Sequence, residues 1–141
     1  MTGEALFLDT GYVIALEAAD DQHHRRAIDH WRHIGPEYPS IVTTTYVFDE
    51  CVTFFNGRGH HAKAVEIGER LRTSPRVEVV PETRPLLEAG WARFRNRPDK
   101  RYSLTDCLSF VVMNRRDLDR ALTFDDHFRQ AGFQGLPANG G

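Results

Sequence analysis

Four acids, Asp9, Glu50, Asp106 and Asp125, stand at the edges of apolar segments rather than in polar runs. Asp9 ends Ala5-Leu6-Phe7-Leu8, and Asp125 ends Ala121-Leu122-Thr123-Phe124. Asp106 opens Cys107-Leu108-Ser109-Phe110-Val111-Val112-Met113, and Glu50 falls inside the apolar stretch from Thr45 to Phe55. An ionised carboxylate drawn toward apolar surroundings is costly unless a cation or hydrogen-bond donors meet it. Several such groups around one crevice would repel one another unless neutralised, and hard cations such as Mg²⁺ or Mn²⁺ suit oxygen donors. The chemistry implied is the holding of divalent ions, with the acids as ligands rather than nucleophiles.

Each acid has a plainer competitor. Asp49, beside Glu50, shares a helical stripe with Thr45, Thr53 and Asn56 and reads as solvent-facing, whereas Glu50 shares one with Tyr46, Val47 and Phe54. Asp106, preceded by Ser103 and Thr105, could simply meet the amides and dipole of a helix start. Asp125-Asp126 could end a strand and cap the helix carrying Phe128. Separate capping roles do not explain why acids recur at strand ends and apolar helix edges. No serine or cysteine sits in a GxSxG-like setting, and Ser109 has no evident histidine partner. Of the seven histidines, the adjacent pairs His23-His24 and His60-His61 diverge on a helix and read as surface residues, and His127 is left outside the metal shell.

Positioning these acids requires strands that stop on them. Ala5 to Leu8, Ser40 to Thr43, Val77 to Val80 and Ala121 to Phe124 read as short buried strands. Between them lie helical patterns over Tyr12 to Ala19, Gln22 to Ile34, Thr45 to Phe55, His60 to Arg72, Arg84 to Arg95 and Thr105 to Asn114. In the fifth of these, Leu87, Trp91 and Phe94 supply the apolar spacing. The alternation predicts an α/β fold, a three-layer α/β/α sandwich with a mostly parallel central sheet, and ligands of such folds bind beyond the carboxyl ends of the strands.

A chain of 141 residues with 40% hydrophobic content suits one domain, here residues 1–136 with a flexible tail over 137–141. No apolar run approaches a membrane span and no secretory pattern opens the sequence, so no membrane partner and a cytoplasmic location are expected. Cys51 and Cys107 lack CxxC spacing and read as reduced core thiols. A net charge of −2 leaves any polyanion to be gripped locally. Trp91 to Tyr102 interleaves aromatic and basic residues, offering Arg93, Arg95, Arg97, Lys100 and Arg101 as RNA contacts. The alternative is that Trp91 and Phe94 form the core face of a helix with solvated arginines.

The ordered set Phe7-Leu8-Asp9-Thr10, Asp49-Glu50, Tyr102 to Cys107 and Thr123-Phe124-Asp125-Asp126-His127-Phe128 resembles the PIN-domain family and, within it, VapC-type toxins of bacterial toxin–antitoxin pairs. The last segment fits the family's Thr-x-Asp-x-x-Phe pattern, which selects Asp125 over Asp126. The resemblance implies a Mg²⁺- or Mn²⁺-dependent endoribonuclease with Asp9, Glu50, Asp106 and Asp125 as metal-binding catalytic residues. It also implies an RNA substrate, a cognate antitoxin and a homodimer. Thr10, Ser103 and Thr123 are candidate donors orienting the acids. Gly11 departs from the small polar residue that relatives often carry there.

Three other readings stand beside this one. A housekeeping PIN-type RNA-processing nuclease could share every residue, and a non-catalytic PIN-like scaffold could act through protein contacts alone. A phosphoacceptor receiver domain would need an acidic pair after its first strand and a late lysine, yet Asp9 stands alone and no lysine follows Lys100.

Overall fold

The computed structural model describes residues 5–35 and 40–138. Five strands, β1 (Leu6–Leu8), β2 (Ile41–Thr44), β3 (Val77–Val80), β4 (Arg120–Leu122) and β5 (Gln134–Leu136), form one sheet in the order β3-β2-β1-β4-β5. Every pairing is parallel. The central strand is β1, and all three of its residues are buried, which is why its sequence is an unbroken apolar run.

The chain leaves β1 through α1 (Thr10–Glu17) and α2 (His24–Ile34) to reach β2, then α3 (Thr45–Gly57) and α4 (His61–Thr73) lead to β3. It returns across the sheet through α5 (Arg84–Asn96) and α6 (Leu104–Arg115) to β4, and α7 (His127–Gln130) leads to β5. Winding runs one way from β1 to β3 and the other way from β1 to β5. Right-handed crossovers therefore place α1 to α4 on one face and α5 to α7 on the other. Packing of α1 on α2, α3 on α4, and α6 on both α5 and α7 agrees. The expected three-layer α/β/α sandwich is the observed fold, and the strand order reverses between β1 and β4, the place where such sheets open a crevice.

Two features differ from expectation. Strand β5 went unread because Gln134-Gly135-Leu136 carries no alternation and only one apolar side chain, its order coming from pairing with β4. In α5 the span was read correctly but the inward face was not. Leu86 and Gly90 are buried, while Leu87, Trp91 and Phe94 are 36%, 46% and 39% exposed. A glycine contributes nothing to a hydrophobic pattern, so the periodicity pointed to the wrong side.

Gly90 is what lets α5 approach α6. A Cβ there would lie 2.5 Å from Leu108 Cδ2, 2.8 Å from its Cγ and 3.4 Å from its Cα, and Leu108 is completely buried. Gly90→Ala would gain about 1 kcal/mol of helix propensity, but overpacking a close-fitted core costs about 1–3 kcal/mol. A net loss is expected, read as a lower urea midpoint. An unchanged or higher midpoint would show that the α5–α6 contact is loose.

Glu17, at the end of α1, accepts from Lys63 Nζ at 2.9 Å and Arg70 Nη1 at 3.0 Å, both on α4, with its side chain only 16% exposed. Burial pushes its carboxyl up, but the hydrogen bonds from Arg70 and Lys63 outweigh it and hold the group below its ordinary 4.5. The depressed value means that its contribution is present above the unfolded-state pKa and lost as pH falls through the folded one. Glu17→Gln should cost about 1–2 kcal/mol at pH 7, between the values for exposed and buried pairs. The gap to the parent should close below about pH 4 in denaturant titrations, and a gap independent of pH would contradict the ion-pair account.

The cysteines follow the sequence reading. Cys51 and Cys107 are free and buried. Among the described residues no helix is long and apolar enough to cross a membrane. Of the expected tail, Pro137 and Ala138 are tied down, their carbonyls accepting from Arg129 Nη2 at 3.4 Å and Arg26 Nη2 at 2.5 Å. Residues 139–141 lie outside the described residues.

Candidate active site

Asp9 is the first residue beyond β1 and occupies the N-cap position of α1, yet its side chain makes no capping bond. Its carboxylate is instead turned to the carboxyl end of β4, where Thr123 Oγ1 donates to Asp9 Oδ2 at 2.8 Å. The residue is 7% exposed. Burial raises its pKa to about 7, Thr123 pulls the other way, and the nearby charges of Asp106 and Asp125 add to the rise. Near neutral pH the group lies between its two protonation states, and positive charge beside it would favour the ionised one.

Asp106 caps its own helix and also faces the crevice. It is the third residue of α6 in a reciprocal capping box: Asp106 N donates to Ser103 Oγ at 2.9 Å, and Ser103 N donates to Asp106 Oδ2 at 3.1 Å. It also lines the crevice shared with Asp9. Asp125 is fixed by its own turn, its amide donating to Thr123 Oγ1 and its Oδ1 accepting from His127 N, both at 2.9 Å. Asp126 points elsewhere, pairing with Arg129 at 3.1 Å, so the structure separates the two neighbours as the sequence pattern did.

Glu50 reaches the same crevice, but its surroundings correct the expectation. Because α3 starts directly at the end of β2, its early turns stand over the carboxyl edge of the sheet. Glu50 is exposed there, not drawn among apolar groups, and accepts from Thr10 Oγ1 at 2.6 Å and Thr105 Oγ1 at 3.1 Å. Asp49 is exposed as expected and accepts from Thr53 Oγ1 at 3.4 Å. The stripe of Tyr46, Val47 and Phe54 described the flank of the helix rather than the tip of the side chain.

The crevice has a volume of about 430 Å³, and its walls include all four acids. Of the hydroxyl donors expected to orient the acids, Thr10 and Thr123 bond directly to carboxylates, whereas Ser103 acts through the cap of α6. Thr105 was missed; a hydroxyl one residue before an acid gives no sign that it serves another acid on a different helix. Arg101 lines the crevice, but Arg93, Arg95, Arg97 and Lys100 do not. Arg97 pairs with Asp99 at 3.2 Å, and the Arg93 guanidinium lies 5.1 Å from the Phe110 ring centre.

His127 requires a second correction. Its Nδ1 lies 2.9 Å from Asp106 Oδ2 and 3.3 Å from Asp125 Oδ1, so it belongs to the acidic cluster rather than outside it. Tyr102 holds the ring edge-on at 5.4 Å. One ligand atom each from Asp106, Asp125 and His127 lies within 4.8 Å of the others. Oxygen-rich donors around a buried acid, with a single imidazole nitrogen, fit a hard or borderline divalent cation.

Comparison with known proteins identifies the family. The PIN domain family model matches residues 6–134. Over 129 residues the chain is 35% identical to the 23S rRNA-specific endonuclease VapC20 of Mycobacterium tuberculosis, covering 91% of this chain and 95% of that protein. The crystal structure of M. tuberculosis VapC20, described as a Sarcin-Ricin loop cleaving toxin, superposes with a TM-score of 0.82 at 32% identity over 91% of this chain and 95% of that one. FitAcB from Neisseria gonorrhoeae, with a TM-score of 0.62 at 20% identity over 92% of this chain and 95% of that one, shares the fold. The chain belongs to the PIN-domain family, nucleases that act on phosphodiester bonds.

Proposed function

We propose that this protein is a Mg²⁺- or Mn²⁺-dependent endoribonuclease and the toxin of a type II toxin–antitoxin pair, with Asp9, Glu50, Asp106 and Asp125 as its metal-binding catalytic residues. The observation that supports the reading is the burial of Asp9 beside Asp106 and Asp125 on one crevice, a concentration of carboxyls that a bound cation would hold ionised at neutral pH. When bound, a divalent ion supplies a water of lowered pKa and neutralises charge developing on the phosphoryl group. The chain's own residues do the rest. Thr123 and Thr10 fix the carboxylates, His127 bridges Asp106 and Asp125, and Arg101 meets substrate phosphate at the crevice wall.

The relative's substrate makes a structured ribosomal RNA loop the first candidate target, with cytoplasmic ribosomes as its setting. Homodimers and inhibition by an antitoxin complete the proposal. The exposed apolar stripe of Leu87, Trp91 and Phe94 favours self-association, and Trp91→Glu with sedimentation velocity tests it.

The deciding experiment incubates purified protein with ribosomal RNA and maps the new ends, with Mg²⁺, with Mn²⁺ and with chelator. Ion-dependent cleavage at discrete sites, lost in Asp106→Asn, is expected. Cleavage that persists in chelator, or in that variant, would remove the reading. Growth arrest on induced expression, rescued by a co-expressed small neighbouring protein, tests the toxin role.

A further inference from the structure

One wall of the crevice is aromatic. His23 and Phe124 both line it, their rings stacked with centroids 4.4 Å apart and planes within 1°. Phe124 in turn stacks on Tyr12 at 5.6 Å and 12°, and Tyr12 is completely buried with its hydroxyl 2.7 Å from His30 Nδ1. The three rings form a column anchored in the core, with His23 at its outer end beside the acids.

The backbone of His23 is held on both sides. Its amide donates to Asp21 Oδ1 at 2.8 Å, and its carbonyl accepts from Ala27 N at 2.9 Å in the first turn of α2. With the backbone held and the ring stacked on Phe124, the imidazole is presented in one place. Neither cluster chemistry nor core packing requires this: His23 has no bond to any of the four acids, and the core end of the column is already closed by Tyr12.

Resting on the proposed ribonuclease function, we infer that His23, backed by Phe124, is the stacking platform for the nucleobase next to the cleaved phosphodiester. Single-stranded RNA is gripped by stacking unpaired bases on aromatic rings, because every base presents a π-face. A platform on the wall of the metal crevice fixes a neighbouring base and so positions the phosphate between the carboxylates. His23 touches substrate in this account but no reacting atom, and its effect falls on binding. Any base can stack, purines with more overlap, so the platform sets the register of the strand more than its sequence.

The test measures steady-state cleavage of a ribosomal RNA stem-loop containing a mapped cut, by the full chain with the activating ion, for the parent, His23→Ala and His23→Phe. Thermal unfolding confirms that each variant is folded. His23→Ala is expected to raise KM about tenfold, as loss of one stacked base does, with kcat within about twofold, and His23→Phe to restore KM. A second substrate, abasic at the nucleotide flanking the cut, should raise KM for the parent by a similar factor and leave His23→Ala almost indifferent. An unchanged KM in His23→Ala, a fall in kcat alone, or equal abasic penalties in both proteins would overturn the platform while leaving the ribonuclease function standing. Failure of the parent to cleave the intact RNA would overturn both.

Discussion

Asp9→Asn is expected to lower phosphodiester cleavage by more than about 100-fold while making the metal-free protein more stable at pH 8. The first effect follows from losing one of the proposed metal-binding charges of the crevice, since even outer-shell changes at metal sites cost about 10–100-fold. The second follows from the sign of the pKa shift. Buried beside Asp106 and Asp125, the carboxyl of Asp9 titrates at about 7 in the folded chain against an ordinary 3.8. A raised folded value stabilises the fold at low pH, and that benefit is lost as pH rises from about 4 through about 7. The whole change is on the order of 2–4 kcal/mol. Asparagine has no proton to lose and still offers an oxygen to the Thr123 hydroxyl. In chelator, the melting temperature of Asp9→Asn should exceed the parent's at pH 8 and approach it near pH 4. Divalent ion should raise the parent's melting temperature through linkage and the variant's much less. Equal melting temperatures at pH 8, or retained cleavage, would count against the electrostatic account of the site.

Phe128→Ala should destabilise the fold by about 3–5 kcal/mol, the range for removing a large aromatic from a close-packed interior. Phe128 is completely buried, tilted against Phe7 of the central strand at 6.1 Å and edge-on to Phe110 of α6 at 5.0 Å. It ties together the two elements on which Asp9 and Asp106 are mounted. The same side chain follows His127 and lies three residues beyond Asp125, so the turn holding both groups hangs from it. Against a typical total of about 5–15 kcal/mol, the loss is large enough to leave much of the population unfolded at 37 °C. Guanidinium unfolding gives the magnitude. Cleavage measured well below the midpoint separates lost fold from lost alignment, and a cost under about 1 kcal/mol would show that the core beneath the site is plastic.

Much of the architecture could be read before any coordinates, for a definite physical reason. Parallel strands covered on both faces appear as uninterrupted apolar runs, and a polar residue that ends such a run sits at the edge of the sheet; Leu6–Leu8 and Asp9 are the clearest case. The place of Asp106 in the first turn of a helix was equally visible. What escaped was anything decided by another part of the chain. Gly90 hid the inward face of α5 because the partner that fills its space is Leu108 on the next helix. Glu50 was placed by its helical stripe, yet what its carboxylate meets is set by Thr10 and Thr105 from distant segments. His127 and His23 carry no local signal, since one is defined by two acids and the other by the ring of Phe124.

The bond between the Thr123 hydroxyl and Asp9 joins positions 114 residues apart, across neighbouring strands at the middle of the sheet. Severing the backbone in the exposed polar connection between α5 and α6 would part Asp9 and Glu50 from Asp106 and Asp125. Each piece produced alone would lack half of the acids, and cutting power would return only on their reassembly. A conditional enzyme could be built on that separation, with no change to a single residue of its working surface.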